Sequence, residues 1–162
     1  MTTLAVTGHM DLTDHTVLLV RDALRKLVAE HGAGGLVGVS CIARGSDTLF
    51  AEAVLEAGGQ LVAVVPSRDY RERKVKPDHA PTFDRLVDAA VEVVVMPYET
   101  ASREAYEAAN AVLLERGERL VAVWNGQPPG AKGGGTADVV VAAQQAGLPV
   151  HVVWPEGSAR AN

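Results

Sequence analysis

Short apolar runs alternate along this chain with longer stretches in which apolar positions recur every three to four residues. Residues 4–6 form a short β-like run that stops at Thr7-Gly8. From 14 to 30, Val17, Leu18, Val20, Leu24, Leu27 and Val28 follow helical spacing. Thr13 or Asp14 is placed to cap that helix and Gly32 to end it. Residues 36–39 are a second strand, 46–57 a helix stopped by Gly58-Gly59, and 61–65 a third strand closed by Pro66. The rhythm breaks over 67–80, where Arg68, Arg71, Arg73, Lys74 and Lys76 mix with acids and no apolar period emerges. That segment reads as a long exposed loop with room for a short helix, and loops of such length are often functional. The pattern resumes with a helix over 81–90, Pro81 in its first turn, and a strand over 91–96. A helix over 100–116 follows, with Thr100 or Ser102 as its cap and Gly117 as its stop. Then come a strand over 120–124, a Gly/Pro-rich loop over 125–135, a helix over 136–146 and a last strand over 149–153. Residues 156–162 read as a flexible tail.

Strand–helix alternation predicts an α/β fold with a largely parallel sheet, right-handed crossovers and helices on both faces. The strand runs, such as Leu61-Val62-Ala63-Val64-Val65, are apolar throughout rather than alternating, as two-sided burial requires. A length of 162 residues suits one domain, read over 1–155. Aromatic residues are only 4%, so the core must come from Val, Leu and Ala. Net charge is −5, which argues against a broad basic nucleic-acid surface but leaves room for one local anion pocket. The single cysteine, Cys41, allows neither an internal disulfide nor a paired-cysteine metal site. The five histidines are scattered, so no metal is expected, and no other cofactor is implied. Residues 1–6 carry no basic leader, and no apolar stretch approaches the roughly 20 residues that span a bilayer. A cytoplasmic protein without membrane attachment is the expectation.

In doubly wound sheets, ligands bind beyond the carboxyl ends of the strands where strand order reverses. Three glycine-containing segments fall at such ends: Thr7-Gly8-His9, Ala43-Arg44-Gly45-Ser46-Asp47 and Gly133-Gly134-Gly135-Thr136. The last two run straight into helices, whose first N–H groups and partial positive charge suit a phosphate. Familiar alternatives fail on single residues. Gly126 to Gly133 is no P-loop, with Ala131 where glycine is needed and Gly133 where Ser or Thr is needed. Ser40 has Gly38 before it but Ile42 after it, so it is no nucleophile elbow. Cys41 and Arg44 stand too close together for a phosphatase-type anion cradle.

Taken in order, Val6-Thr7-Gly8-His9, the run from Ser40 to Glu52, Ala122-Val123-Trp124-Asn125-Gly126, the Gly-Gly-Thr-Ala-Asp that follows and the closing Pro149-Val150 strand resemble the SLOG superfamily. This Rossmann-like group includes DprA-type DNA-processing proteins and Lonely Guy-type phosphoribohydrolases. The chain looks especially like the group's small, stand-alone bacterial members. The resemblance implies a nucleotide or nucleotide-derived ligand, with phosphate at Gly134, Gly135 and Thr136. Gly8, Ser40, Gly45 and Asp47 then line the neighbouring edges, and Asn110 faces the pocket. Dimers or larger assemblies are implied too, with the apolar face of 100–116 free for an interface or for the core.

One departure matters. The Lonely Guy pattern places a catalytic Glu where this chain has Val139, and its Arg–Lys pair falls where Ala109-Asn110 stand. Asp138 is one residue earlier, about 100° away round a helix. Breaking an N-glycosidic bond builds positive charge on the sugar, which a carboxylate must stabilise. Asp47, Glu52, Asp138 and Asp11 are the candidates. The leading expectation is therefore nucleotide binding or sensing. An N-glycosidic hydrolase or transferase is the alternative, and single-stranded DNA binding is disfavoured by the charge and the scarcity of aromatic rings.

Overall fold

The computed structural model describes residues 1–32, 34–130 and 135–161. The elements run β1 (Thr2–Gly8), α1 (Asp14–His31), β2 (Leu36–Ser40), α2 (Ser46–Glu56), β3 (Gln60–Val65), α3 (Tyr70–Arg73), α4 (Ala80–Ala89), β4 (Glu92–Val95), α5 (Arg103–Arg116), β5 (Arg119–Val123), α6 (Thr136–Gln145) and β6 (Val150–Val152). All six strands lie in one parallel sheet of order β4-β3-β2-β1-β5-β6. This is the Rossmann-like, doubly wound α/β class that the sequence predicts.

Side chains alternate across each strand, and both faces are filled. On one face Leu4, Val6, Val121 and Val123 meet Val20, Leu24, Leu27 and Val28 of α1 and Phe50 and Val54 of α2. That layer continues over β3, where Leu61, Ala63 and Val65 meet Phe83 and Leu86 of α4. On the other face Ala5, Val39, Val62 and Val64 pack against Ala109 and Leu113 of α5 and Val139, Val140 and Ala143 of α6. The apolar side of α5 is thus spent on the sheet. Two-sided cover fails at the edge: Val93 and Val95 of β4 are 40% and 48% exposed. The register pairs Val93 with Ala63 and Val95 with Val65, so both extend the α4 side of the sheet past the helix that covers β3.

Local signals set the helix ends. Thr13 Oγ1 accepts the Thr16 N–H (3.2 Å), and Ser102 Oγ accepts the Ala105 N–H (3.2 Å). Ser102 rather than Thr100 is therefore the cap, and α5 starts at Arg103.

Residues 67–80 are mostly exposed and contain the short helix α3, as the sequence reading allows, and they are anchored. Tyr70 of α3 is buried against Phe83 and Leu86, and the Arg68 and Asp69 N–H groups donate to the carbonyls of Tyr98 (2.8 Å) and Glu99 (3.2 Å). One aromatic anchor and main-chain bonds hold the segment, and neither leaves a periodic signature. The segment 156–161, read as a flexible tail, is fastened instead. The Ala159 N–H donates to Thr16 Oγ1 (2.8 Å), Thr16 Oγ1 donates back to the Ala159 carbonyl (3.1 Å), and the Ala161 N–H donates to the Asp11 carbonyl (2.7 Å).

The chain steps outward from β1 to β4, then returns under the sheet through α5 to place β5 on the other side of β1. Strand order therefore reverses between β1 and β5, and a crevice opens beyond their carboxyl ends.

Candidate functional site

The crevice is a cavity of about 790 Å³. Its floor is the end of β1, where Thr7 and Gly8 meet the start of the loop after β5, Trp124 and Asn125. Gly8 sits there because nothing larger fits: a Cβ at this position would lie 2.4 Å from Ser46 Cβ and 2.8 Å from Val123 Cβ. Gly45, with φ +80°, brings the start of α2 so close that a Cβ would meet the Met10 carbonyl at 2.7 Å. The two glycines let α2 dock on the end of β1. Ser46 seals the join, donating from Oγ to the His9 carbonyl (2.7 Å).

His9 is 6% exposed, and its Nε2 accepts the Asn125 N–H (3.1 Å), so that nitrogen is unprotonated. Burial, and then the Arg160 charge, hold its pKa below the ordinary histidine value. The Trp154 ring stands edge-on to it, centroids 5.5 Å apart. His9 thus bridges the ends of β1 and β5.

The opposite wall carries Cys41, Asp47, Tyr70 and Tyr106. Asp47 is 9% exposed; one oxygen accepts the Ala43 N–H (3.3 Å), and among the described residues no cation pairs with it. Burial lifts its carboxyl pKa from 3.8 to about 7, against the pull of that N–H. Burial likewise pushes the Cys41 thiol well up, with the Asp47 charge adding to the effect. Tyr70 is raised by burial as well. The group is a weakly polar nook around one acid that sits at its titration point near neutral pH.

The third wall is the start of α6, where Gly135, Thr136, Ala137 and Asp138 line the cavity. Asp138 Oδ2 accepts the Gly135 N–H (2.9 Å), so its carboxylate caps the helix it belongs to. The N–H groups of Thr136 and Ala137 fall among those a helix cannot satisfy internally. Among the described residues no group of three or more His, Cys, Asp or Glu side chains could hold a metal ion. No helix among them is long and apolar enough to cross a membrane.

No protein-family model and no curated protein matches this sequence. Solved structures do. DNA processing protein A from Streptococcus pneumoniae aligns over 97% of this chain with a TM-score of 0.69 at 18% identity; the chain spans about half of that protein, 52%. DNA processing protein A from Helicobacter pylori, described with a single-stranded DNA binding mode, aligns over 99% of this chain and 69% of its own, with a TM-score of 0.69 at 15% identity. The Moco carrier protein from Chlamydomonas reinhardtii aligns over 96% and 78%, with a TM-score of 0.61 at 23% identity. These likenesses, all below 25% identity, show a shared Rossmann-like α/β fold.

Laid on this fold, the predicted residues divide. Gly8, His9, Asp47, Asn110, Gly135, Thr136 and Asp138 line one cavity. Ser40, Gly45 and Ser46 do not line it; they build its frame. Ser40 Oγ donates to the Asp47 carbonyl (3.1 Å) and accepts the Ile42 N–H (3.1 Å), so the hydroxyl is spent on the turn that aims Asp47. Arg44 faces away from the cavity and pairs with Asp78. Glu52 is likewise removed, paired with Arg85 (2.9 Å) on the surface. Gly133 and Gly134 lie outside the described residues. Val139, where the Lonely Guy pattern has a glutamate, packs into the sheet–helix core and also borders the cavity. Tyr70, Lys74, Tyr106 and Arg160 also line it and escaped the sequence reading. The aromatic pair had a readable signal in the rarity of such rings: three tyrosines in the chain, of which two, 6.3 Å apart, face this site.

Proposed function

We propose that the chain binds a singly phosphorylated small molecule of nucleotide type, with its phosphate at the start of α6 and its ring toward the Asp47 nook. One observation carries the reading: a 790 Å³ cavity at the β1/β5 reversal joins a helix start to a buried acid with no cationic partner among the described residues. Pockets for small ligands occupy about 300–1,000 Å³ and pair apolar walls with a few convergent polar groups. A neutral carboxyl can both donate and accept hydrogen bonds, which fits the mixed edge of a heterocycle.

The lining's charge narrows the ligand. Among the described residues, with Asp47 neutral, Asp11 and Asp138 stand against Lys74 and Arg160. That balance supports one phosphate and opposes a triphosphate or a nucleic-acid backbone. Calorimetry and thermal shift with AMP, GMP, the molybdenum cofactor and an oligothymidylate test the reading. A ligand at a hundred times its Kd adds about 2.7 kcal/mol, roughly 5–10 °C for a chain of this size. Flat responses to every phosphorylated probe, or preference for the oligonucleotide, overturn it.

Asp47 also favours a second reading, cleavage of an N-glycosidic bond. A carboxyl with a pKa of about 7 is poised to protonate a departing base. Release of free base from a bound nucleotide, lost in Asp47→Asn, is the expected signature, and binding without turnover removes this reading.

A further inference from the structure

We infer that Arg160, delivered by the segment 156–161 and positioned by that segment's main-chain bonds, is a phosphate-binding residue of the cavity whose guanidinium Asp11 engages along one edge. The inference rests on the cavity reading above and adds to it a recognition residue that belongs to neither sheet nor helix.

The observations are geometric. Arg160 lines the cavity although β6 ends at Val152. The intervening chain turns back to the start of α1, where an isolated antiparallel bridge joins Leu12 and Arg160. Arg160 Nε donates to both Asp11 oxygens (2.9 and 3.1 Å), and one terminal nitrogen lies 2.8 Å from Asp11 Oδ1. The other terminal nitrogen makes no hydrogen bond among the described residues. A guanidinium carries five N–H donors in a planar fork, so one edge can rest on Asp11 while the remainder meets an anion.

The segment does not need this side chain to stay docked. The Ala159 and Ala161 main-chain bonds to Thr16 and Asp11 hold it independently. The ion pair is 42% exposed on the arginine side and 22% on the aspartate side, a setting in which such pairs add little to folding. Arg160 and His9, at the end of β1, line the same cavity.

The test is calorimetric titration of the full chain with AMP, adenosine and inorganic phosphate, with unfolding midpoints measured in parallel. The wild type is expected to bind AMP more tightly than adenosine. Arg160→Gln is expected to weaken AMP about tenfold and to leave adenosine and the midpoint unchanged, because a charge-assisted bond to phosphate is removed. Asp11→Asn should act in the opposite direction, tightening AMP severalfold by freeing the guanidinium. A fastening role predicts the same sign for both variants.

The AMP-to-adenosine ratio remaining unchanged in Arg160→Gln overturns the inference while the cavity reading stands. So does Asp11→Asn weakening AMP as much as Arg160→Gln. If the wild type binds neither AMP nor adenosine nor phosphate, the cavity reading itself fails and this inference goes with it.

Discussion

Replacing Asp47 by Asn should stabilise the protein, and by an amount set by pH. The carboxyl titrates at 3.8 when solvated and at about 7 in the fold, because burial penalises its charge. The folded state therefore binds the proton more tightly than the unfolded chain, and stability falls as pH rises between those two values. Below pH 3.8 the charge penalty is absent. Above 7 it is complete, at about 4 kcal/mol from the 1.36 kcal/mol that each pH unit represents. About 2.5 kcal/mol of it accrues between pH 5 and pH 8.5. Asn keeps the size and an oxygen to accept the Ala43 N–H, and it cannot ionise.

Urea unfolding of both proteins at the two pH values checks the reasoning. The gain from Asn should be about 1.5 kcal/mol at pH 5 and about 4 kcal/mol at pH 8.5. His9, whose lowered pKa makes the fold lose stability as acid protonates the unfolded chain, contributes equally to both proteins and drops out of the difference. An equal gain at both pH values would refute the buried-acid argument. If Asp47 serves the ligand, the stabilised variant is also the weaker binder, since strain of this kind is retained at working sites.

Gly8→Ala must push α2 from the end of β1, since its new Cβ meets Ser46 on one side and Val123 on the other. A loss of about 1–3 kcal/mol is expected in chemical denaturation, and a loss under 0.5 kcal/mol would show that the join is loose. Cys41, raised by burial, should react with iodoacetamide at pH 8 at least about tenfold more slowly than a free cysteine, with a bound ligand slowing it further. Arg44→Ala and Glu52→Gln remove surface ion pairs outside the cavity. Each should change stability by less than about 1 kcal/mol and leave ligand affinity unchanged in titration.

What the sequence made legible depended on how each feature is encoded. Two-sided burial writes itself as unbroken apolar runs, so β2, β3 and β5 could be placed to within a residue or two. The strand-end glycines were readable for the same reason, since only glycine tolerates the approach of α2. Asp47 and Glu52 were indistinguishable by type, both acids on one helix five residues apart. Burial at the first turn of α2 separates them, and that depends on how the helix docks on β1. Ser40 stood in the right motif, yet its hydroxyl serves a turn. The segment 156–161 left no pattern at all, because it is held by main-chain donors and acceptors that every residue possesses.

The return of the chain through α5 has a consequence in time. A ribosome releases β1 to β4 and the helices α1, α2 and α4 before either helix of the opposite layer exists. Until residues 103–143 emerge, Ala5, Val39, Val62 and Val64 present a bare apolar surface on the growing sheet. The strand pairings β1–β2, β2–β3 and β3–β4 join neighbours in sequence, whereas β5 must find β1 across more than a hundred residues. Contacts of such separation form late and slowly. The cavity, with His9 on one side of that seam and Asn125 on the other, is therefore the last part of the molecule to come into being. Nascent chains arrested near residue 100 should carry an unsatisfied half-sheet that attracts chaperones or aggregates.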